Sequence, residues 1–264
     1  MKEHLGIIYE SHNHYQLETR LEELAKSEGY KSLEDLYTYT LKNGMFGRFK
    51  QKLLDLATNN ETSFFRDPKI FQHIENVVIP ELAKKSNSIR VWSAASSNGQ
   101  EIYSFLMLLE DMKLPSKPAI KEFIATDISD RALKKAEEGI YTKLEVGRGL
   151  TPEHLQKHFD AKADGNYQVK PTLRKNVKFM SQNILAPFTH LGKFDIILCR
   201  NILIYQEVKS KKQIIERLYD QLTDNGVLIM GVGESMIGLT DKFEQFSYDA
   251  VSIYKKSTKL KKVG

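Results

Sequence analysis

Asn60-Glu61-Thr62-Ser63-Phe64-Phe65-Arg66-Asp67 gathers small polar groups, an aromatic pair and an arginine immediately ahead of a segment with the texture of a nucleotide-binding sheet. In that order the stretch suits a lid over a bound cofactor, carrying a catalytic cation in Arg66. Taken alone it reads equally well as a helix start, with Asn60 or Thr62 capping and Phe64 and Phe65 entering the core.

Other polar candidates follow short apolar runs, where an open α/β sheet binds its ligands at the carboxyl ends of strands. Asp127 follows Ala125-Thr126, and a carboxylate there can accept both hydroxyls of a ribose; the alternative is a helix N-cap, which Ser129 or Asp130 can fill instead. Asn183 follows the run 177–180 and can offer its amide to adenine nitrogens, with Ile184 as an apolar wall, or it can simply shape a loop. The run 194–199 leads into Arg200-Asn201-Ile202-Leu203-Ile204-Tyr205, which puts the Asn201 amide at the sheet edge and Tyr205 on the same face if the segment is helical. The turn 93–101 after Arg90-Val91-Trp92 is built of small residues, but its single glycine, Gly99, is not the three-glycine phosphate fingerprint.

Other chemistries find less support. His12-x-His14 and His154-x3-His158 lack companion ligands at metal-site spacing, so no metal is expected. Cys199 sits inside an apolar strand and reads as packing rather than a nucleophile. Gly231-Val-Gly233-Glu-Ser235 is not the nucleophile-elbow order and reads as a structural turn or a wall of the site.

These candidates need a scaffold, and the chain supplies two textures. Residues 15–57 read as helices, with Leu17, Leu21 and Leu24 on one face, then Leu33, Leu36 and Tyr37, then Phe46, Phe49, Leu53, Leu54 and Leu56. From residue 89, strands at 89–94, 123–126, 177–180, 194–199, 227–231 and 248–254 alternate with helices at 101–112, 130–138 and 209–222. That alternation predicts a doubly wound, mostly parallel α/β sheet with helices on both faces, divided as a helical domain and linker at 1–60 and a Rossmann-like domain at 61–264. The alternation lapses between Gly139 and Asn176, where an insertion with short antiparallel strands is expected.

Composition narrows the class. The 264 residues carry one cysteine and no apolar run near the roughly 18–20 residues of a membrane span. The opening residues lack a secretory leader's apolar stretch, so a cytoplasmic protein without membrane insertion is expected. The formal charge of +5 equals the five lysines of the last ten residues, which reads as a solvated tail rather than a nucleic-acid surface.

Taken together the motifs resemble the CheR family of chemotaxis receptor methyltransferases, which transfer methyl from S-adenosylmethionine to receptor glutamates. The resemblance spans about residues 15–255 and rests on Asn60-x-Thr62-x-Phe64-Phe65-Arg66, Val91-Trp92-Ser93-Ala94-Ala95 with Gly99-Gln100-Glu101-Ile102-Tyr103-Ser104, Ala125-Thr126-Asp127-Ile128, Gly139-Ile140-Tyr141, and Phe194-Asp195-x3-Cys199-Arg200-Asn201-x3-Tyr205. It implies that Asn60, Thr62, Arg66, Glu101, Asp127, Asn183, Ile184, Asn201 and Ile202 surround the cofactor, with Arg66 and Tyr205 catalytic and S-adenosylhomocysteine as product. It further implies that the helical domain packs across the cofactor cleft, and that the partner is the cytoplasmic helical region of chemoreceptors.

The chemistry is consistent with the residue set. A glutamate with an ordinary pKa of about 4.3 is already a nucleophile at neutral pH, so no general base is required. Two departures stand out. Gln100 and Ile102 replace an acid and a proline that many family members carry, and the early helix, usually arginine-rich, keeps only Arg20 and Lys26. Substrate recognition through Arg48, Lys50 and Lys52, a non-chemotaxis protein substrate, or a cofactor-binding signalling module are the alternatives.

Overall fold

The computed structural model describes residues 14–44, 47–114, 117–246 and 251–257. His12, Phe46, Tyr248, Lys259, Lys261 and Lys262, on which the sequence reading also draws, lie outside these residues.

The described residues open with three helices, α1 (His14–Ser27), α2 (Leu33–Asn43) and α3 (Gly47–Ala57). Ser32 caps α2 by accepting from Asp35 N, and Gly44 closes it at φ 72°, a conformation glycine adopts without penalty. Leu24, Leu36, Leu53 and Leu54 are buried between and beneath these helices. Gln51 Nε2 donates to Ile128 O, and Arg131 Nη2 to Asp55 O, so α3 is fastened to the segment that follows the second strand.

The stretch 68–83, to which the sequence reading gave no element, is helical: α4 (Pro68–His73), a π turn (Ile74–Val78) and α5 (Ile79–Ala83). Pro80 explains the π turn. It has no N–H, and its ring crowds the carbonyl four residues back; widening the preceding turn, so that Ile79 N bonds Ile74 O, relieves that crowding.

The sheet then builds as β1 (Ser88–Ala94), α6 (Gln100–Asp111), β2 (Ala119–Asp127) and α7 (Asp130–Glu138). The insertion follows, with β3 (Ile140–Tyr141), α8 (Lys143–Val146), α9 (Pro152–His158), β4 (Phe159–Ala161), β5 (Tyr167–Val169) and α10 (Pro171–Arg174). Its three strands form their own antiparallel sheet in the order β3-β5-β4, as expected for this region. The main sheet resumes with β6 (Val177–Ser181), β7 (Phe194–Cys199), α11 (Val208–Gln221), β8 (Leu222–Met230), β9 (Phe243–Gln245) and β10 (Ile253–Lys256).

Among the described residues the main sheet has seven strands in the order β6-β2-β1-β7-β8-β10-β9, and the first five are mutually parallel. Strand order reverses between β1 and β7, which makes their carboxyl ends the switch point of a doubly wound fold. Both faces of the central strands are apolar. Val91, Phe123, Ile196 and Ile229 join the core under α6, while Trp92, Ile124, Ile197 and Leu228 join the one under α11. This period-2 division of nearly continuous apolar runs marks strands covered on both sides.

The carboxyl-terminal edge departs from the sequence reading. A strand expected at 248–254 is found at Ile253–Lys256, pairing antiparallel with both β8 and the unanticipated β9. Lys255 and Lys256 are therefore strand residues rather than solvated tail: Lys255 Nζ lies over the Phe246 ring and 3.1 Å from Glu81, and Lys256 Nζ donates to Leu222 O.

Candidate functional site

The carboxyl ends of β1, β2, β6 and β7 open onto one cavity of about 380 Å³. All of the sequence-derived site residues line it, from Asn60, Thr62 and Arg66 to Asn201, Ile202 and Tyr205. Leu17, Arg20 and residues 57–59 line it too, so α1 and the end of α3 close one side.

At the end of β2, Asp127 is buried, and its two oxygens accept from Ser97 N (2.8 Å) and Ser129 N (2.9 Å). Ser129, not Asp127, caps α7, accepting from Ala132 N. Burial pushes the Asp127 carboxyl above the ordinary carboxylate range, against the backbone N–H groups of Ser129, Ser97 and Ile128, which favour its charged form. Beyond β6, Asn183 Oδ1 accepts from Leu185 N (2.9 Å), so this side chain shapes its loop while Ile184 adds apolar wall.

The link between β1, β7 and the 60–67 segment is Arg200, whose side chain is only 2% exposed. Its Nη1 donates to Glu101 Oε2 (2.8 Å), and its Nη2 to Asp67 Oδ2 (2.8 Å) and Arg66 O (2.6 Å). Glu101 is held from the other side by Ser93 Oγ at 2.9 Å. One guanidinium thereby bridges both acids with charge-assisted bonds. Sequence reading quoted Arg200 within a motif and gave it no role; its acidic partners lie 99 and 133 residues away, beyond any local signal.

The segment 60–67 is not a helix start: Asn60 and Thr62 cap nothing, and α4 begins at Pro68 after Asp67. It is pinned at several points. Ser97 Oγ and Asn98 Nδ2 donate to Asn60 O, and Phe65 N donates to Ser104 Oγ (2.8 Å). Phe64 is buried edge-on to Tyr141 and Phe159 of the insertion, while Phe65 stacks on His154 at 4.8 Å. Burial lowers the His154 pKa, with the Asp111 charge opposing. His158 is buried beside both Asp111 oxygens, 3.1 Å from each, which gives the His154-x3-His158 pair a structural account.

Gly149 packs so tightly on this segment that an added Cβ would lie 1.9 Å from Phe64 O, and its φ of +101° is a glycine conformation. Gly149→Ala is therefore expected to destabilise the fold by at least about 2 kcal/mol, read from a urea midpoint. A wild-type midpoint would mean that the segment is not pinned there.

Backbone strain concentrates here. Among the described residues, the non-glycine positions with positive φ are Phe65, Asp67, Ala95, Ser97 and Asn201, all within the loops around the cavity. Such conformations cost roughly 1–3 kcal/mol each and persist where surrounding structure holds them. Tyr205 and Arg66 are half-buried; Asn59 Nδ2 donates to the Tyr205 hydroxyl (3.3 Å), and Arg66 Nη1 donates to Glu61 O (3.2 Å).

Two buried polar atoms on the cavity wall, Ser96 Oγ and Arg200 Nε, have no hydrogen-bond partner among the described residues, as befits a wall completed by a polar ligand. A carboxylate for hydroxyls, an apolar wall and amides make a donor and acceptor set suited to a nucleoside. Among the described residues the cavity lining contains no histidine or cysteine, and no cluster of three or more histidine, cysteine or acidic side chains is placed to hold a metal. Cys199 is fully buried, and burial pushes its thiol well above the usual range, which leaves it a packing residue. No helix among the described residues is long and apolar enough to cross a membrane.

Comparison with known proteins agrees with this geometry. Residues 60–251 match the family described as CheR methyltransferase, SAM binding domain. The chain is 37% identical over 257 residues to chemotaxis protein methyltransferase 1 of Pseudomonas aeruginosa, covering 95% of this chain and 92% of that one. It is 36% identical to chemotaxis protein methyltransferase Cher2 of Pseudomonas putida, covering 94% and 92% respectively. The Escherichia coli chemotaxis protein methyltransferase is 32% identical, covering 90% and 82%. The protein belongs to the CheR methyltransferase family and is an S-adenosylmethionine-dependent methyltransferase of chemotaxis.

Proposed function

We propose that the protein methylates glutamate side chains in the cytoplasmic helical region of chemotaxis receptors, releasing S-adenosylhomocysteine and acting in the cytoplasm without a metal. The observation that carries this reading is a cavity whose lining offers Arg66 and Tyr205 beside a nucleoside-type donor set and, among the described residues, no histidine or cysteine as a base. A nucleophile that arrives already ionised, as glutamate does, requires none.

When bound, S-adenosylmethionine supplies a methyl group on a positively charged sulfur. Asp127 accepts the ribose hydroxyls, and Asn183 and Ile184 contact the adenine. Asn60, Thr62, Glu101, Asn201 and Ile202 complete the enclosure. Arg66 orients the incoming carboxylate, and Tyr205 donates a hydrogen bond to it. Neither residue moves a proton in the transfer, because the carboxylate enters ionised and leaves as an ester. Opposite charges are neutralised as the transition state forms, so alignment and exclusion of water provide the rate. Arg20, on the cavity wall with its Nη1 bonded to Leu56 O, supplies positive charge on the side where α1 would meet an acidic receptor helix.

Asp127→Ala is expected to weaken S-adenosylhomocysteine binding about ten- to hundredfold through loss of charge-assisted bonds, measured by calorimetry. Unchanged affinity would remove Asp127 from the ribose site. The reaction itself is tested with labelled S-adenosylmethionine and receptor-rich membranes. Protein-bound label released as methanol by mild base identifies a carboxyl ester, whereas base-stable label would contradict the proposal.

A further inference from the structure

We infer that Glu234 is the positioning residue that sets the shape of the wall formed by Asn201, Ile202 and Tyr205; this inference rests on the proposed roles of those three residues. Glu234 lies in the turn after β8 and is 5% exposed. Its Oε1 accepts from Ile202 N (3.0 Å), Leu203 N (2.7 Å) and Ile204 N (3.3 Å), and its Oε2 accepts from Asn201 N (2.9 Å) and Gly231 N (2.8 Å). Among the described residues no cation pairs with it, so backbone N–H groups alone hold its charge.

Each of these donors needs a partner. Residues 203–205 form a single 3-10 turn, whose first N–H groups have no acceptor within the turn. Asn201, at φ 57°, is in a conformation that a non-glycine residue holds only when its surroundings impose it. One carboxylate supplies the missing acceptors and fixes the strained residue. It does so from the end of β8, whose Met230 is in register with Cys199 of β7, so the clamp spans two neighbouring strands. The chemistry requires a carboxylate. In a glutamine, whichever way the amide is turned, its NH2 group would face at least two backbone N–H donors.

Gly231 gives an independent handle on the same clamp. A Cβ there would lie 2.8 Å from Asn201 Nδ2 and 3.0 Å from both Asn201 N and Glu234 Oε2. Gly231→Ala therefore crowds the clamp without altering the carboxylate.

The test uses the full chain and the variants Glu234→Gln, Glu234→Asp and Gly231→Ala, each assayed at a temperature where circular dichroism shows it folded. Calorimetry with S-adenosylhomocysteine gives Kd, and methyl transfer gives kcat and KM. Glu234→Gln and Gly231→Ala are expected to raise Kd and lower kcat by about tenfold or more each, with Glu234→Asp in between because it keeps the charge. A merely structural glutamate would lower Tm and leave both constants unchanged, so a folded Glu234→Gln protein with wild-type Kd and kcat overturns the inference. If Glu234→Gln does not fold, the same result in Gly231→Ala overturns it. The Kd does not depend on which carboxylate is methylated, so a wild-type protein that binds S-adenosylhomocysteine but leaves receptors unmodified defeats the proposed function and not this inference.

Discussion

Arg66→Ala is expected to lose at least about a hundredfold in kcat while S-adenosylhomocysteine still binds measurably, the magnitude typical of removing one preorganised donor from a reacting centre. The separation follows from where Arg66 sits. Its backbone carbonyl is held by Arg200 and its neighbour Phe65 by Ser104, so truncating the side chain leaves the segment's anchors in place. Its guanidinium is half-buried on the cavity wall, bonded to Glu61 O, and available to a carboxylate. Overly strong ion pairing would stabilise the nucleophile and slow it, so orientation is the role that serves rate. Single-turnover kinetics beside calorimetry make the comparison; wild-type turnover in the variant would take Arg66 out of the mechanism.

Arg200→Met is expected to cost about 3–5 kcal/mol of stability, because it removes the cation from a buried cluster and leaves Glu101 and Asp67 uncompensated. For a chain of this length that corresponds to a fall in Tm of roughly 10 °C. Adding Glu101→Gln to Arg200→Met should recover part of the loss, since the more deeply buried of the two stranded charges is then gone. Thermal unfolding of the single and double variants checks this. A double variant no more stable than the single one would mean that the arginine contributes through packing, including its contact with the Phe71 ring, rather than through charge.

Much of this was legible in the chain because the relevant signals are local. Apolar runs of strand length, followed by Asp127 and by Asn201, identify both a parallel sheet and the strand ends that line the cavity. Helix α7 was readable to the residue, since Ser129 and Gly139 mark its ends. Arg200 and Glu234 were not legible as site organisers, because what makes them so is a set of partners brought together by strand order. The GVGES turn read as a structural turn or a wall of the site; its glutamate grips the opposite loop, on the cavity wall, from 30 to 33 residues away. The last strand was misplaced because Lys255 and Lys256 read as tail; their ammonium groups lie against Glu81 and Leu222 O, contacts that only the folded edge creates. The π turn escaped because Pro80 signals a break, whereas the helical stretch continues through it by widening one turn.

The most direct measurement is to incubate the protein with S-adenosylmethionine and purified chemoreceptor cytoplasmic fragment, then locate the added methyl group by tandem mass spectrometry. The account predicts the mass of one methyl group on glutamate side chains of the receptor helices, absent when Arg66→Ala replaces the wild type. A methyl group on lysine, arginine or nucleic acid in place of glutamate, or an unmodified receptor beside a protein that binds S-adenosylhomocysteine, would contradict it.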